Sequence, residues 1–286
     1  MIIDGKALSV VIVGKLRKEV EQLKKQGITP CFTVIQIGNN SESTAYIRRK
    51  AKKAYAVGIL CNVLTLSENS TRRELISEIH QLATDPTVHG IIIQRPIPNH
   101  LSGAEIQQAV PDQKDIDGFN PTSVYDPPIG RTVISCLNWV KNQTHPKQQC
   151  KAFLKNQSIV ILGRGLTGGG PVAKTLTRDG IAFHVLHSKS ANPDTLIKNA
   201  DIIITAVGKP DVFNPKQLKK GVVAINIGMY RGKDGTFHGD FDEKAFTDPT
   251  SYYTPTPGGT GPLTVAFLLS NAVEAAKKVL LPDNGS

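Results

Sequence analysis

Ser158-Ile159-Val160-Ile161-Leu162-Gly163-Arg164-Gly165-Leu166-Thr167-Gly168-Gly169-Gly170 is the stretch that decides the fold. A short β-branched run enters a glycine loop, and the loop opens onto a segment that reads as a helix over 169–179. As a bare hexapeptide, G-x-G-x-x-G is weak. Between a strand and a helix it is what a chain needs to turn tightly and to bring backbone N–H groups up to a pyrophosphate at the positive helix end. A glycine-rich turn in some other α/β protein is the alternative. Strand, helix and strand then alternate: strand 181–186, helix 193–199, strand 201–206 and strand 221–226. That order predicts parallel β-α-β units with right-handed crossovers, a Rossmann-like sheet.

The same loop bears on the choice of dinucleotide. An NAD site places a carboxylate at the end of the second strand, where it accepts the ribose 2′-OH. Here that strand ends His187-Ser188-Lys189-Ser190, with no acid. Arg164, Ser188 and Lys189 are donors suited to a 2′-phosphate, so the expected cofactor is NADP. Ordinary surface polarity is the other reading of these residues.

Upstream, the alternation continues. The spacing predicts a helix over 5–26 ended by Gly27, a strand over 31–37, a helix from Ser41 to about Val57, an apolar strand over 59–66, a helix from Ser70 or Thr71 to about Ala83, and a short buried strand over 90–93. Gln94–Pro98 must leave that strand as a loop, because each proline removes a ladder donor. Pro121, Pro127, Pro128 and Gly130 read as a hinge before a connecting helix over 133–143. A last helix follows Pro257-Gly258-Gly259, and residues 282–286 read as a frayed end. With 286 residues, the expectation is two α/β domains flanking a cleft: residues 1–120, completed by the helix 262–286, and a Rossmann-like domain over 121–261.

Composition excludes several classes. No apolar run reaches the length of about 18 residues needed for a membrane span, and the start lacks the basic and apolar regions of a signal peptide. The expected location is the cytoplasm. The four cysteines form no C-x-x-C pair, which favours free thiols over a disulfide framework. The seven histidines form no metal-binding pattern, so no metal is expected. The formal charge of +10 fits small polyanionic ligands better than nucleic acid, because the basic residues are scattered, and a merely solvated basic surface is the alternative for most of them. One knot, Arg48-Arg49-Lys50 with Lys52 and Lys53, stands out, without the aromatic residues of a nucleic-acid module.

Tyr46 and Lys50 lie four apart and share a helix face. Alone, a tyrosine packed beneath a solvated lysine explains them. The combination changes the reading. Ser43–Lys50 (STAYIRRK), Gly90–Pro98 (GIIIQRPIP), Lys114–Phe119 (KDIDGF) and Pro257–Thr264 (PGGTGPLT) occur in that order. Together they resemble the bifunctional methylenetetrahydrofolate dehydrogenase/cyclohydrolase family over nearly the whole chain.

The resemblance implies two linked reactions on tetrahydrofolate derivatives, polyglutamylated forms included. Methylenetetrahydrofolate gives a hydride to NADP, and water then opens the methenyl cation to 10-formyltetrahydrofolate. It implies that Lys50 moves the protons of the second step, a task that suits a lysine of lowered pKa. Tyr46 orients the folate ring, Gln94 holds the Lys50 amine, and Asp117 accepts from the pterin. Asp115 is the weaker carboxylate, with turn-capping as its alternative. Ile93, Gln94, Arg95, Pro257, Gly258, Gly259 and Gly261 join Tyr46, Lys50 and Asp117 around the folate. Gly163, Arg164, Gly165, Ser188 and Met229 hold the dinucleotide. A homodimer formed through the dinucleotide domain is also implied, and the 48–53 knot is a candidate contact for the glutamate tail.

The match departs in places. Gly165 stands where the family carries serine, Gly168 where it carries valine, Arg95 where it carries leucine and Asn226 where it carries aspartate. Residues 131–137 replace a proline-rich segment. A looser dinucleotide loop with lower cofactor affinity is expected. A cyclohydrolase with weak or absent dehydrogenase activity, and a non-catalytic folate- or dinucleotide-binding protein, therefore stay open as alternatives.

Overall fold

The structure, a computed structural model, describes residues 1–279, and the 282–286 end lies outside the described residues. The chain divides into two compact units, Val10–Pro128 with Val265–Ser286, and Met1–Ser9 with Ile129–Thr264. Both are α/β with parallel sheets, as the alternation predicts.

The first unit holds α1 (Gly5–Lys25, from Val10 on), β1 (Cys31–Ile37), α2 (Ser41–Ala56), β2 (Leu60–Leu66), α3 (Arg72–Thr84), β3 (Gly90–Ile93) and the short α4 (Ala104–Gln108). Its three parallel strands lie in the order β2-β1-β3. The central strand β1 is buried at every position, which is why its sequence is apolar almost without interruption. Its side chains alternate between two cores. Phe32 and Val34 meet Leu16 and Val20 of α1, Ile47 of α2, and Leu269 and Val273 of the last helix, α9 (Thr260–Lys278). Ile35 and Ile37 meet Leu75 and Ile79 of α3 and Ile106 of α4. Local chemistry sets the helix starts. The Asn40 side chain accepts the Ser43 N–H at 2.9 Å to open α2, and Thr71 with Glu74 forms a reciprocal capping box on α3.

The second unit holds α5 (Pro128–Thr144, from Ile129 on), α6 (Cys150–Lys155), β4 (Ile159–Leu162), α7 (Gly169–Arg178), β5 (His184–Leu186), α8 (Pro193–Asn199), β6 (Ile202–Thr205), β7 (Val223–Asn226), β8 (Met229–Arg231), β9 (Phe237–Gly239) and β10 (Tyr252–Tyr253). Five strands pair in parallel in the order β10-β7-β6-β4-β5. The chain leaves β4 towards β5 and returns to β6 on the opposite side. That reversal makes the carboxyl ends of β4 and β6 the topological switch point, where open α/β sheets bind ligands.

Some elements differ from expectation. The helix read as 133–143 begins at Pro128. Proline is tolerated at a first helical position. Gly130, read as part of the hinge, lies inside the helix, where a Cβ would land on Thr175 Oγ1. Residues 131–137 are thus helical. The strand read as 181–186 shortens to His184–Leu186. The β8–β9 hairpin and β10 carry no strand-length apolar pattern. β10 is fixed instead by the N-terminus: Ile3 donates its N–H to Tyr253 O at 2.7 Å, and the Tyr253 N–H returns to Met1 O at 3.0 Å. Among the described residues, no helix is long and apolar enough to cross a membrane.

Candidate active site

The buried face of α2 reads Ser43, Ile47, Lys50, Ala54. Lys50 therefore occupies a core position, and its side chain is only 5% exposed. An isolated ammonium does not normally sit there. Two partners accommodate it. Gln94 Oε1 accepts from Nζ at 3.2 Å, and the Tyr46 ring lies beneath Nζ at 4.6 Å from its centroid. Burial lowers the Lys50 pKa from 10.5, while the charges of Asp117 and then Cys61 act to raise it.

Gln94 is aimed by its surroundings. Its backbone N–H donates to Ile35 O at 2.9 Å, continuing the sheet past β3. Its side-chain Nε2 donates to Arg95 O at 2.8 Å, which leaves Oε1 to face the lysine. A neutral acceptor takes an N–H bond from either protonation state of an amine, so it holds Nζ in place without fixing its proton. Tyr46 is pushed up to about 12 by burial and by Asp117. Its phenol keeps its proton across physiological pH.

The Lys114–Phe119 block assigns a separate task to each residue. Lys114 Nζ donates to Leu82 O at 3.2 Å and Asp85 O at 2.7 Å, finishing α3. Asp115 is buried and accepts the Asn120 N–H at 2.7 Å. The turn-capping reading of Asp115 is the one that matches this geometry. Ile116 fills the space opposite Gly90, where a Cβ would come within 2.6 Å of it. Gly118 takes φ +68° hard against Pro127, and Phe119 lies under the Arg95 guanidinium at 5.1 Å. Asp117 is thereby presented between Lys50 and Arg95, both of which favour its ionised form, although burial outweighs them and raises its pKa. Arg95 Nε is buried with no hydrogen-bond partner among the described residues. Tyr46, Lys50, Gln94, Arg95 and Asp117 thus form one cluster, with Ile93 at the end of β3 beside it.

In the second unit, the dinucleotide candidates gather at the carboxyl edge of the sheet. Gly163 takes φ +96°, and a Cβ there would approach Ala206 O to 2.6 Å. A Cβ on Gly169 would land on Gly163 O. The loop is therefore a cradle that only glycine can form, and its N–H groups lead into the start of α7. Arg164 and Ser188 are exposed at the ends of β4 and β5. Met229 O lies 3.4 Å from the position a Gly208 Cβ would take, which puts Met229 beside the loop after β6. A Cβ on Gly165 meets nothing within 4 Å. A Cβ on Gly168 would come within 2.8 Å of Ala206 Cβ.

Pro257, Gly258, Gly259 and Gly261 belong to this second unit. Gly258 has φ +109°. Its carbonyl accepts the Lys6 N–H at 3.0 Å, and a Cβ on Gly259 would come within 2.6 Å of Pro255 O. The fold itself requires two of these glycines, whereas Gly261 faces open space. Asn226, noted above as a departure from the family, and Asp240, which the sequence did not single out, stand beside these residues. Asn226 donates to Gly228 O and to Thr256 Oγ1, both at 2.8 Å. Buried Asp240 receives several donors from the loop after β6. No local pattern marks Asp240, whose carboxylate partners lie over 30 residues away.

The chain matches two family profiles: the catalytic domain of tetrahydrofolate dehydrogenase/cyclohydrolase over residues 3–117, and the NAD(P)-binding domain of that family over residues 146–280. The bifunctional protein FolD of Agathobacter rectalis is 36% identical over 283 residues, covering 97% of this chain and 99% of that protein. The FolD protein of Bacillus licheniformis is 36% identical over 280 residues and covers 98% of each chain. The crystal structure of the bifunctional FolD enzyme from Campylobacter jejuni superposes with a TM-score of 0.89 at 33% identity, over 98% of this chain and 99% of that one. The Trypanosoma brucei enzyme, solved with NADP and an inhibitor, gives a TM-score of 0.87 at 26% identity and covers 99% of each chain. With matches of this extent and with the cluster around Lys50 in place, the chain belongs to the tetrahydrofolate dehydrogenase/cyclohydrolase family.

Proposed function

We propose that this protein oxidises 5,10-methylenetetrahydrofolate to 5,10-methenyltetrahydrofolate with NADP and then hydrolyses the methenyl group to give 10-formyltetrahydrofolate. The observation that carries the reading is the Lys50 amine, buried on the Tyr46 ring and tied to Gln94 Oε1.

Hydration of a methenyl cation needs one group that removes a proton from water and returns it when the ring opens. Lys50 Nζ suits that task, because burial lowers its pKa and Gln94 keeps it aimed in both proton states. Tyr46 provides a ring face for orienting the substrate. Asp117 accepts from the pterin amino and ring N–H groups. The unpartnered Arg95 Nε is a donor left for an oxygen of the folate. The glycine cradle at Gly163 and Gly169 fits a dinucleotide pyrophosphate. Arg164 and Ser188 would hold the 2′-phosphate, and Met229 would line the nicotinamide side. The bound dinucleotide supplies a hydride acceptor, and for that step the chain's contribution is positioning.

In this reading residues 1–120 with the last helix carry the folate chemistry, and 121–261 carry the dinucleotide. The basic knot at Arg48, Arg49, Lys52 and Lys53 suits the glutamate tail of the substrate. The enzyme acts in the cytoplasm as a homodimer. Absence of a hydroxyl at Gly165 favours, as a second reading, a cyclohydrolase whose dehydrogenase is weak. NADPH formation from methylenetetrahydrofolate, followed beside methenyl decay and repeated with NAD, tests both. Turnover in both assays with NADP preferred is the expected result. Methenyl decay without NADPH formation would select the second reading, and no turnover in either would refute both.

A further inference from the structure

We infer that Asp240 is a positioning residue for the dinucleotide, holding one of the two loops that frame the switch point. The inference rests on the dinucleotide lying at the carboxyl ends of β4 and β6. Asp240 and Thr205 are fully buried. The Asp240 carboxylate accepts from Thr205 Oγ1 at 2.5 Å and from the backbone N–H groups of Val207, Gly208 and Lys209 at 2.8, 2.9 and 3.2 Å. Three successive N–H groups converging on one carboxylate fix the path of the chain as it leaves β6. Free N–H groups in such a run would themselves form an anion-binding concavity. Here an internal carboxylate occupies that concavity and turns the segment into a fixed wall.

That wall faces the glycine cradle. Ala206 O lies 2.6 Å from where a Gly163 Cβ would be, and Ala206 Cβ lies 2.8 Å from where a Gly168 Cβ would be. Movement of residues 206–209 therefore moves the floor on which the dinucleotide loop rests. Asp240 also reaches the other side of the crevice. Its N–H donates to Asn226 Oδ1 at 2.9 Å, and a Cβ on Gly228 would land on its carboxylate. Asn226 in turn donates to Gly228 O, immediately before Met229. One buried carboxylate thus sets both the loop after β6 and the turn that presents Met229. Asparagine cannot replace it. Its single carbonyl oxygen can satisfy only some of the four donors, and in either orientation its NH₂ would face at least one backbone N–H.

The test uses full-length D240N, T205V, T205S and R164A. NADP affinity is measured by titration in the absence of folate, and methenyl hydrolysis without NADP serves as the internal reference. For D240N we expect NADP affinity to fall by roughly tenfold or more, KM for NADP to rise in parallel, and hydrolysis to hold within about twofold. T205V, which removes one donor, should show a smaller loss in the same direction, and T205S should restore wild-type affinity. Folded D240N with wild-type NADP affinity would overturn the inference, as would a proportionate loss of NADP binding and hydrolysis. If D240N does not fold, T205V decides, and unchanged affinity there overturns it. R164A separates the two levels of the argument. Unchanged NADP affinity in R164A refutes the placement of the dinucleotide itself. Weakened R164A beside unaltered D240N refutes the positioning role alone.

Discussion

Lys50→Met is the perturbation whose consequences can be worked out most fully. Methionine keeps the length of the unbranched stem, so the buried α2 stripe of Ser43, Ile47 and Ala54 stays filled. What leaves is one amine, 3.2 Å from Gln94 Oε1 and 4.6 Å above the Tyr46 ring. Two stability terms oppose each other. Gln94 Oε1 loses its donor, a cost of about 1–3 kcal/mol for a buried acceptor. The folded state no longer bears the desolvation of a buried amine. These terms oppose each other, so K50M should fold with a midpoint close to that of the wild type near neutral pH.

The linkage has a definite sign. Because the folded-state pKa lies below 10.5, the unfolded chain binds more protons here between the folded value and 10.5. Wild-type stability therefore rises with pH across that window, and K50M lacks the rise. Catalysis behaves differently. Positioned proton transfer contributes about 10²- to 10⁴-fold, so methenyl hydrolysis should fall by that factor. NADP affinity, set in the other unit, should not change. Methenyl absorbance decay, NADP titration and denaturant unfolding on the same preparation give the three readings. Folded K50M hydrolysing methenyltetrahydrofolate at the wild-type rate would refute the reasoning.

Other expectations follow from neighbouring groups. Y46F keeps the ring under the amine and removes only a phenol that stays protonated up to about 12. It should lower hydrolysis less than Y46A, which also loses a cation–π contact of about 0.5–2 kcal/mol; equal losses in the two variants would contradict the ring's role. The Asp115 pKa is raised from 3.8 to about 6 by burial. Its contribution to stability is thus present below 3.8 and lost as pH rises through about 6, a difference of about 3 kcal/mol. D115N keeps an acceptor for the Asn120 N–H and should be more stable than wild type at pH 7 but not at pH 4, as read by denaturant midpoints at both. G165S places a hydroxyl where a Cβ meets nothing within 4 Å. It should leave thermal stability unchanged and tighten NADP binding by about twofold to tenfold, and a drop in melting temperature would show that the space is not free.

The features legible in the sequence were those written in neighbouring residues. The glycine cradle follows from Gly163 and Gly169 standing between a β-branched run and a helix. The helix and strand order follows from periodicities of 3.6 and 2. Lys50 was legible only in part. Its spacing from Tyr46 put the two on one face, but its burial depends on Gln94, 44 positions later in the chain. Asp115 and Asp117 look equivalent in Asp-Ile-Asp, yet a backbone N–H at Asn120 claims the first and leaves the second to the cluster. Asp240 and the N-terminal pairing of Ile3 with Tyr253 were illegible, because both are satisfied by partners far away in the chain. No local pattern encodes a contact of that separation.

The most direct measurement is the ionisation of the Lys50 amine itself, followed by NMR of lysine-labelled protein and assigned by the resonance missing from K50M. A buried amine acting as the proton carrier titrates below 10.5 and in step with the acid limb of the methenyl hydrolysis profile. A Lys50 amine titrating at or above 10.5, with hydrolysis following some other group, would contradict the mechanism.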